Sequence, residues 1–297
     1  MRIGKFVNGL TTGLTGVMLA GGAWAQDMLG ELETVGKPHA QGYNFQPAAT
    51  ELASDIHWLH NFLMVIITFV TLLVVGLLLW VIVRYNKRVN PTPARFSHNT
   101  PVEVIWTIVP IVILIAIGAV SLPILFKQME IPESDITIKA TGHQWFWEYD
   151  YAESAINFSA VMLTRDELAD AGYADDEYLL ATDNAVVVPI GAVVKILTTA
   201  PLEGVIHSWT IPAFGVKLDA VPGRLQETWF QANREGIYFG QCSELCGINH
   251  SYMPITVKVV SQSAYVAWVE SMGGTEPAPM ASASEAVVGG VELAAAE

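Results

Sequence analysis

The sequence predicts a two-helix transmembrane hairpin joined to an all-β domain of the sandwich or Greek-key barrel class. Three observations predict it: two long runs without a charged residue, a basic linker between them, and a later series of short β-branched and aromatic runs broken by Gly, Pro, Asn and Asp. Hydrophobic residues make up 52% of the 297 and the mean hydropathy is positive, so membrane segments are the first thing to locate.

The N-terminus, "MRIGKFVNGLTTGLTGVMLAGGAWAQD", has a basic start with Arg2 and Lys5, an apolar middle and the small-residue pattern Ala23-Trp24-Ala25. This predicts a cleaved secretory signal over 1–25, because glycines and threonines interrupt a run that is short for a span. An exported segment follows over 26–57. The runs 59–83 and 104–126 contain no Lys, Arg, Asp or Glu, and each exceeds the roughly 20 residues needed to cross the hydrocarbon, which places membrane helices at 58–84 and 101–126. Between them, 85–100 is a cytoplasmic loop, since Arg84, Lys87, Arg88 and Arg95 lie in or beside it without an acid. Both ends of the hairpin then lie on the outer face.

The outer domain occupies 127–270. Its strand-like runs are "DITIKATGHQWFWEYDY", "AVVVPIGAVVKILTTA", "GVIHSWTIP", "LQETWFQA", "GIYFGQC" and "MPITVKVVS", interrupted by the polar insertion "LTRDELADAGYADDEYLLATDN", which has room for a helical turn. It carries eight basic and nineteen acidic side chains, so −11 of the total charge of −14 sits here. Such a field excludes nucleic acid and attracts a basic partner, while serving equally to keep an exported domain soluble. Residues 271–297 are rich in Gly, Ala, Ser and Pro and read as a flexible tail.

The chemistry concentrates in "GQCSELCGINHSYMP". Cys242 and Cys246 are followed by His250 and Met253, and the strand "GVIHSW" brings His207. Two cysteines in an exported domain raise a disulfide first, and a Cys₂His₂ zinc site would use the same thiols and imidazoles. The methionine favours copper, because soft sulfur with imidazole on a β-sandwich is the donor set of electron-transfer copper. With a second thiol in the loop, two sulfurs are able to bridge two copper ions, each capped by one histidine.

With "NTPVEVIWTIVP", "GHQWFWEYDY", "GVIHSWTIPAFGVKLDAVPGR" and "YFGQCSELCGINHSYMPI", the chain resembles, from about residue 44 to 268, the subunit II family of haem-copper cytochrome c oxidases, of the bacterial aa3-type and mitochondrial-like kind. The resemblance implies a cupredoxin-like fold with a binuclear CuA centre held by His207, Cys242, Cys246, His250, Met253 and the main-chain carbonyl of Glu244. It implies magnesium at the Glu244 side chain, shared with subunit I, and electron entry from cytochrome c through Trp145. Haem belongs only to the partner subunit; of this chain's two membrane runs, only the first holds a histidine, His60. The family commonly has tyrosine where this chain has Phe146. The setting implied is a bacterial inner membrane with both termini and the copper domain in the periplasm.

Strand alternation through "GHQWFWEYDY" puts Trp145 and Trp147 on one face and Phe146 on the other. Glu148, Asp150, Asp183 and Glu203 are the acids expected to dock the lysines of cytochrome c. "TPVE" reads as a capping box with Thr100 as cap and Glu103 three residues on. A carboxylate at the cytoplasmic boundary is also a functional candidate, and the resemblance gives Glu103 the mouth of the proton path into subunit I. Three alternatives stand beside the oxidase reading: a quinol oxidase subunit, which needs no copper ligands; a membrane-tethered copper-binding or copper-delivery protein, which needs neither Trp145 nor Glu103; and a disulfide-stapled structural subunit.

Overall fold

A computed structural model describes Leu29 and residues 32–275. The signal expected over 1–25 lies outside the described residues, as does all of the tail expected over 271–297 except its first five residues. Two compact units divide the described residues: Asp55–Met129 is one, and the described segments before and after it form the other.

The membrane unit consists of two apolar helices, α1 (Glu51–Arg84) and α2 (Thr100–Met129). At 1.5 Å per residue they run for about 50 and 45 Å, more than the roughly 30 Å of hydrocarbon, so their polar ends reach the interfaces. Most of their Leu, Ile, Val and Phe side chains are exposed, as suits lipid rather than a protein core. At one end the Lys127 ammonium lies 2.7 Å from Asp55 Oδ2 and ties α2 to α1. At the other end the cap differs from the expected one. Asn99, not Thr100, starts α2: its Oδ1 accepts from the Val102 N–H at 3.4 Å, and its own N–H donates to Glu103 Oε1 at 2.9 Å. Asn caps at least as well as Thr, and Pro101, which has no N–H, then falls inside the first turn, where none is needed.

The β unit holds eleven described strands: β1 (Thr34–Gly36), β2 (Ile136–His143), β3 (Phe146–Tyr151), β4 (Ile156–Ala160), β5 (Val186–Pro189), β6 (Val193–Thr199), β7 (His207–Ile211), β8 (Val216–Ala220), β9 (Gln226–Gln231), β10 (Gly236–Gln241) and β11 (Pro254–Val260). One sheet is ordered β1-β10-β11-β5 and a second β4-β3-β2-β6-β9, with β7 and β8 as a separate hairpin. Pairs β1–β10, β5–β11 and β2–β6 are parallel and the others antiparallel, so the chain crosses between the sheets repeatedly, as in a Greek-key sandwich. Alternate residues of β2, β3 and β6 are buried, the pattern of a sheet with one face on a core. That core is aromatic: Trp147, Tyr149, Tyr151, Trp209, Phe214, Phe230 and Tyr238 are all buried, and each such side chain contributes about 1.5–3 kcal/mol.

In β5, β10 and β11 burial is almost continuous, because both faces are covered. The insertion over 163–184 folds back as a small lobe, with Leu163, Leu168, Tyr173 and Ala181 packed on Ile237 and Phe239. It contains the expected turn, a single 3-10 turn at Asp175–Glu177. A helix the sequence reading missed, α3 (Gln262–Ser271), buries Tyr265, Trp268 and Val269 in the main core, with the Trp268 ring 5.3 Å from that of Tyr151. The segment ahead of α1 also belongs to this unit. It supplies β1, the Ala49 N–H donates to the Ala213 carbonyl at 2.8 Å, and the Thr50 hydroxyl donates to the Phe214 carbonyl at 2.8 Å.

A candidate metal centre between two sheets

β10 ends at Gln241 and β11 starts at Pro254, paired with it, so the loop carrying both cysteines leaves and re-enters the same sheet. Its course is fixed at three points. The Ser243 N–H donates to the Ser208 carbonyl on β7 at 3.0 Å, Gln241 Nε2 donates to the Leu179 carbonyl at 2.6 Å, and Trp145 Nε1 donates to the Cys246 carbonyl at 3.1 Å. β7 brings His207 under this loop across a long sequence separation.

The expected ligand groups converge. Cys242 Sγ lies 3.8 Å from Cys246 Sγ, 3.8 Å from His207 Nδ1 and 3.4 Å from the Glu244 carbonyl oxygen. Cys246 Sγ lies 3.4 Å from His250 Nδ1 and 3.5 Å from Met253 Sδ. The sulfurs are far beyond the bond length of about 2.05 Å that a disulfide requires, and both thiols are free and buried. Donor atoms of His207, Cys242 and Cys246 all fall within 4.8 Å of one another. Each imidazole faces a different thiol, and four further donors surround the sulfur pair, six in all. One tetrahedral ion takes four, so a single zinc ion leaves the methionine and the carbonyl unexplained. Two soft ions use all six.

Electrostatics favour neutral donors when no metal is bound. Burial, helped by nearby His143 and His250, pulls His207 down to about 4, which leaves a neutral imidazole with a free lone pair. Burial first, then the adjacent Cys242, pushes Cys246 up to about 12. Two sulfur anions this close are costly in a desolvated pocket unless cations balance them.

Trp145 is not on a strand. β2 stops at His143 and β3 starts at Phe146, so Gln144 and Trp145 form a two-residue hairpin turn. Alternation therefore does not run through Trp145. Trp147 is buried in the core, whereas Trp145 is half-buried on the rim, bonded to the backbone of the cysteine loop. Gly247, with φ +118°, makes room for it, since a Cβ there would come within 3.1 Å of the indole. Phe146 stacks on His143 at 4.6 Å, nearly parallel.

The four acids have different surroundings. Glu148 accepts from Asn157 Nδ2 and faces His143 Nε2, each at 3.0 Å; these two contacts, Asn157 first, hold its carboxyl below the usual range. Glu203 is exposed and lines a cleft of about 330 Å³ with Gly142, His143, Gln144, Phe146 and His207. Asp150 lies 3.8 Å from Lys139. The Asp183 carboxylate is engaged by the Val161 and Asn184 backbone N–H groups, each at 2.7 Å. Glu244 turns its carbonyl toward Cys242 and leaves its side chain exposed. Sequence reasoning did not single out Gly142, Gly247 or the His143–Glu148 contact; a glycine in mid-strand at "TGHQW" was the available signal.

The model of the cytochrome c oxidase subunit II periplasmic domain matches residues 136–260, and that of the subunit II transmembrane domain matches residues 38–124. The chain belongs to the cytochrome c oxidase subunit II family. It is 52% identical to the cytochrome c oxidase subunit 2 of Cereibacter sphaeroides over 93% of this chain and 94% of that one. It is 46% identical to the probable cytochrome c oxidase subunit 2 of Rickettsia bellii (strain RML369-C), over 76% of this chain and 82% of the other, and 41% identical to the Drosophila bifasciata subunit 2, over 76% and 94%. As a subunit II, it is a component of an oxidoreductase complex and the complex's electron-entry subunit, and the family brings copper to the thiol and imidazole cluster. The hairpin α1–α2 makes it a membrane protein.

Proposed function

We propose that cytochrome c hands single electrons to the oxidase at this chain, at a binuclear copper centre held by His207, Cys242, Cys246, His250, Met253 and the Glu244 carbonyl. From there they go to haem in subunit I, where oxygen is reduced to water with proton pumping. The observation that carries this reading is the sulfur pair with one imidazole on each thiol. Two copper ions held by these residues would supply a one-electron carrier. The protein's part is to fix the donors, through the three loop contacts above, and to exclude water. Copper bound to the purified full chain is expected at two ions per chain sharing one unpaired electron in spin resonance; one localised copper, or none, overturns the reading. The full chain is needed because β1 and residues 49–50 are built into the β unit.

Trp145 is the proposed entry point for electrons, supported by its position on the rim and its bond to the Cys246 carbonyl. Glu148 and Glu203 are the better placed of the four docking acids, near His143 and the cleft beside the turn. Docking through them weakens with salt. Trp145→Phe is expected to retain both coppers while kcat/KM for cytochrome c falls by about tenfold or more, the usual scale for an interface tryptophan. Unchanged kcat/KM would remove the assignment.

The basic loop between the two spans supports a copper domain in the periplasm of a bacterial inner membrane. Glu103 then sits at the cytoplasmic side, its carboxylate oriented by the Asn99 N–H, as the proposed entry for protons into subunit I. The exposed Glu244 carboxylate is the proposed magnesium ligand shared with that subunit. Glutamine at 103 still accepts from the Asn99 N–H, and at either position it removes the charge. In the assembled oxidase E103Q is expected to slow turnover by roughly tenfold or more, and E244Q to weaken the divalent ion by a similar factor with both coppers kept. Normal turnover in E103Q, or an undiminished ion in E244Q, excludes the corresponding role.

A further inference from the structure

We propose that Gly142 is a positioning residue for the metal centre, whose missing side chain seats the His207 ring on the bare backbone of β2; the copper consequence rests on the reading above. Gly142 pairs with Trp147 across the β2–β3 ladder, and β7 passes over both. A Cβ at Gly142 would come 2.8 Å from His207 Cδ2 and Cγ and 2.9 Å from its Cβ. These are atoms of a buried ring and of its root, so no flexible side-chain end is available to yield. Gly142 does not have the positive φ that glycine alone adopts easily, so its requirement is for space, not for backbone conformation. A glycine inside a strand weakens it, and close approach by another group is the usual reason for keeping one.

Two further groups bound the ring. The Trp147 indole meets it edge-on at 5.9 Å and 65°, and its Nδ1 faces Cys242 Sγ at 3.8 Å. His207 is therefore held in a slot floored by Gly142, and the height of that floor sets the distance from imidazole to thiol. Any side chain at 142 lifts the ring and changes the donor geometry on the Cys242 side, leaving His250 and Met253 on the Cys246 side untouched.

The test has a copper-free arm and a copper-loaded arm. In the copper-free full chain in detergent, Gly142→Ala is expected to lower the thermal midpoint by about 2–12 °C, the range for overpacking a core in a unit of this size. In a His207→Gly background, which removes the ring and its Cβ, the same substitution is expected to cause no drop. A drop that persists without the ring places the clash elsewhere and overturns the proposal. If Gly142→Ala alone does not fold, the double variant must fold as well as His207→Gly does, and its failure to do so also overturns it. In the assembled oxidase, Gly142→Ala is expected to change the nitrogen hyperfine pattern of one histidine and shift the centre's potential. A wild-type pattern and potential would overturn the positioning role. Wild-type protein without two coppers sinks the copper reading and leaves the copper-free arm standing.

Discussion

Cys246→Ser is expected to abolish the copper centre and with it cytochrome c oxidation, while Cys242→Ser leaves a single localised copper. The difference follows from what each sulfur touches. Cys246 meets Cys242, His250 and Met253, whereas Cys242 meets Cys246, His207 and the Glu244 carbonyl. Without Cys242, the remaining Cys246, His250 and Met253 form a one-copper His-Cys-Met set of the electron-transfer kind. Without Cys246, the survivors are one thiol, a carbonyl and separated imidazoles, with the thioether left facing a hard hydroxyl. Loss of a partner that merely orients a ligand costs about 10–100-fold in metal affinity, so loss of the central thiolate exceeds that, and turnover should fall at least about 100-fold. The serine oxygen is small enough to fit the thiol's place, so the copper-free variant should fold, at a cost of about 1–3 kcal/mol if its hydroxyl finds no partner. Metal analysis and spin resonance on both variants check this. A shared-electron two-copper signal surviving in Cys246→Ser would sink the proposed ligand assignment.

The membrane helices and the copper loop were legible because each is a short-range property. An uncharged run of more than 20 residues declares a span by itself, and Cys242, Cys246, His250 and Met253 lie within one loop. His207 was found only by family resemblance and donor chemistry, since nothing local in "GVIHSW" says which loop β7 will pass beneath. The elements that were missed owe their structure to partners. β1 is three residues long and exists because β10 offers it a parallel edge. β4, "INFSA", is short and half polar, and it is ordered by pairing with β3. α3 is different, because its signals were present: Ser261 caps it by accepting from the Ala264 N–H at 3.3 Å, and Tyr265, Trp268 and Val269 have helical spacing. Reading "GHQWFWEYDY" as one strand failed for a geometric reason. A two-residue hairpin turn hides inside an aromatic run with no glycine or proline at its centre, and only the pairing of His143 with Phe146 reveals it.

Acidity should act on the same site twice, in the same direction but over separable pH ranges. Burial holds His207 at about 4 in the folded, copper-free chain, against about 6.5 when unfolded. Between those values the unfolded chain carries a proton that the folded chain does not, so stability falls as pH falls through this window. This contribution is whole above about pH 6.5 and wholly lost below about 4, a change of about 3 kcal/mol, and His207→Asn should remove it from a denaturant titration. Copper uptake responds in the same direction for a different reason. Cys246 stays a thiol up to about pH 12, and copper binds the thiolate, so binding must expel that proton. Apparent affinity should therefore rise at least about tenfold per pH unit between pH 6 and 8, a range in which His207 is already neutral and adds nothing. Competition against a chelator of known affinity over that range measures the slope. A flat profile would mean that the thiolate is already formed in the copper-free site, which the pressure of burial and of Cys242 on Cys246 forbids.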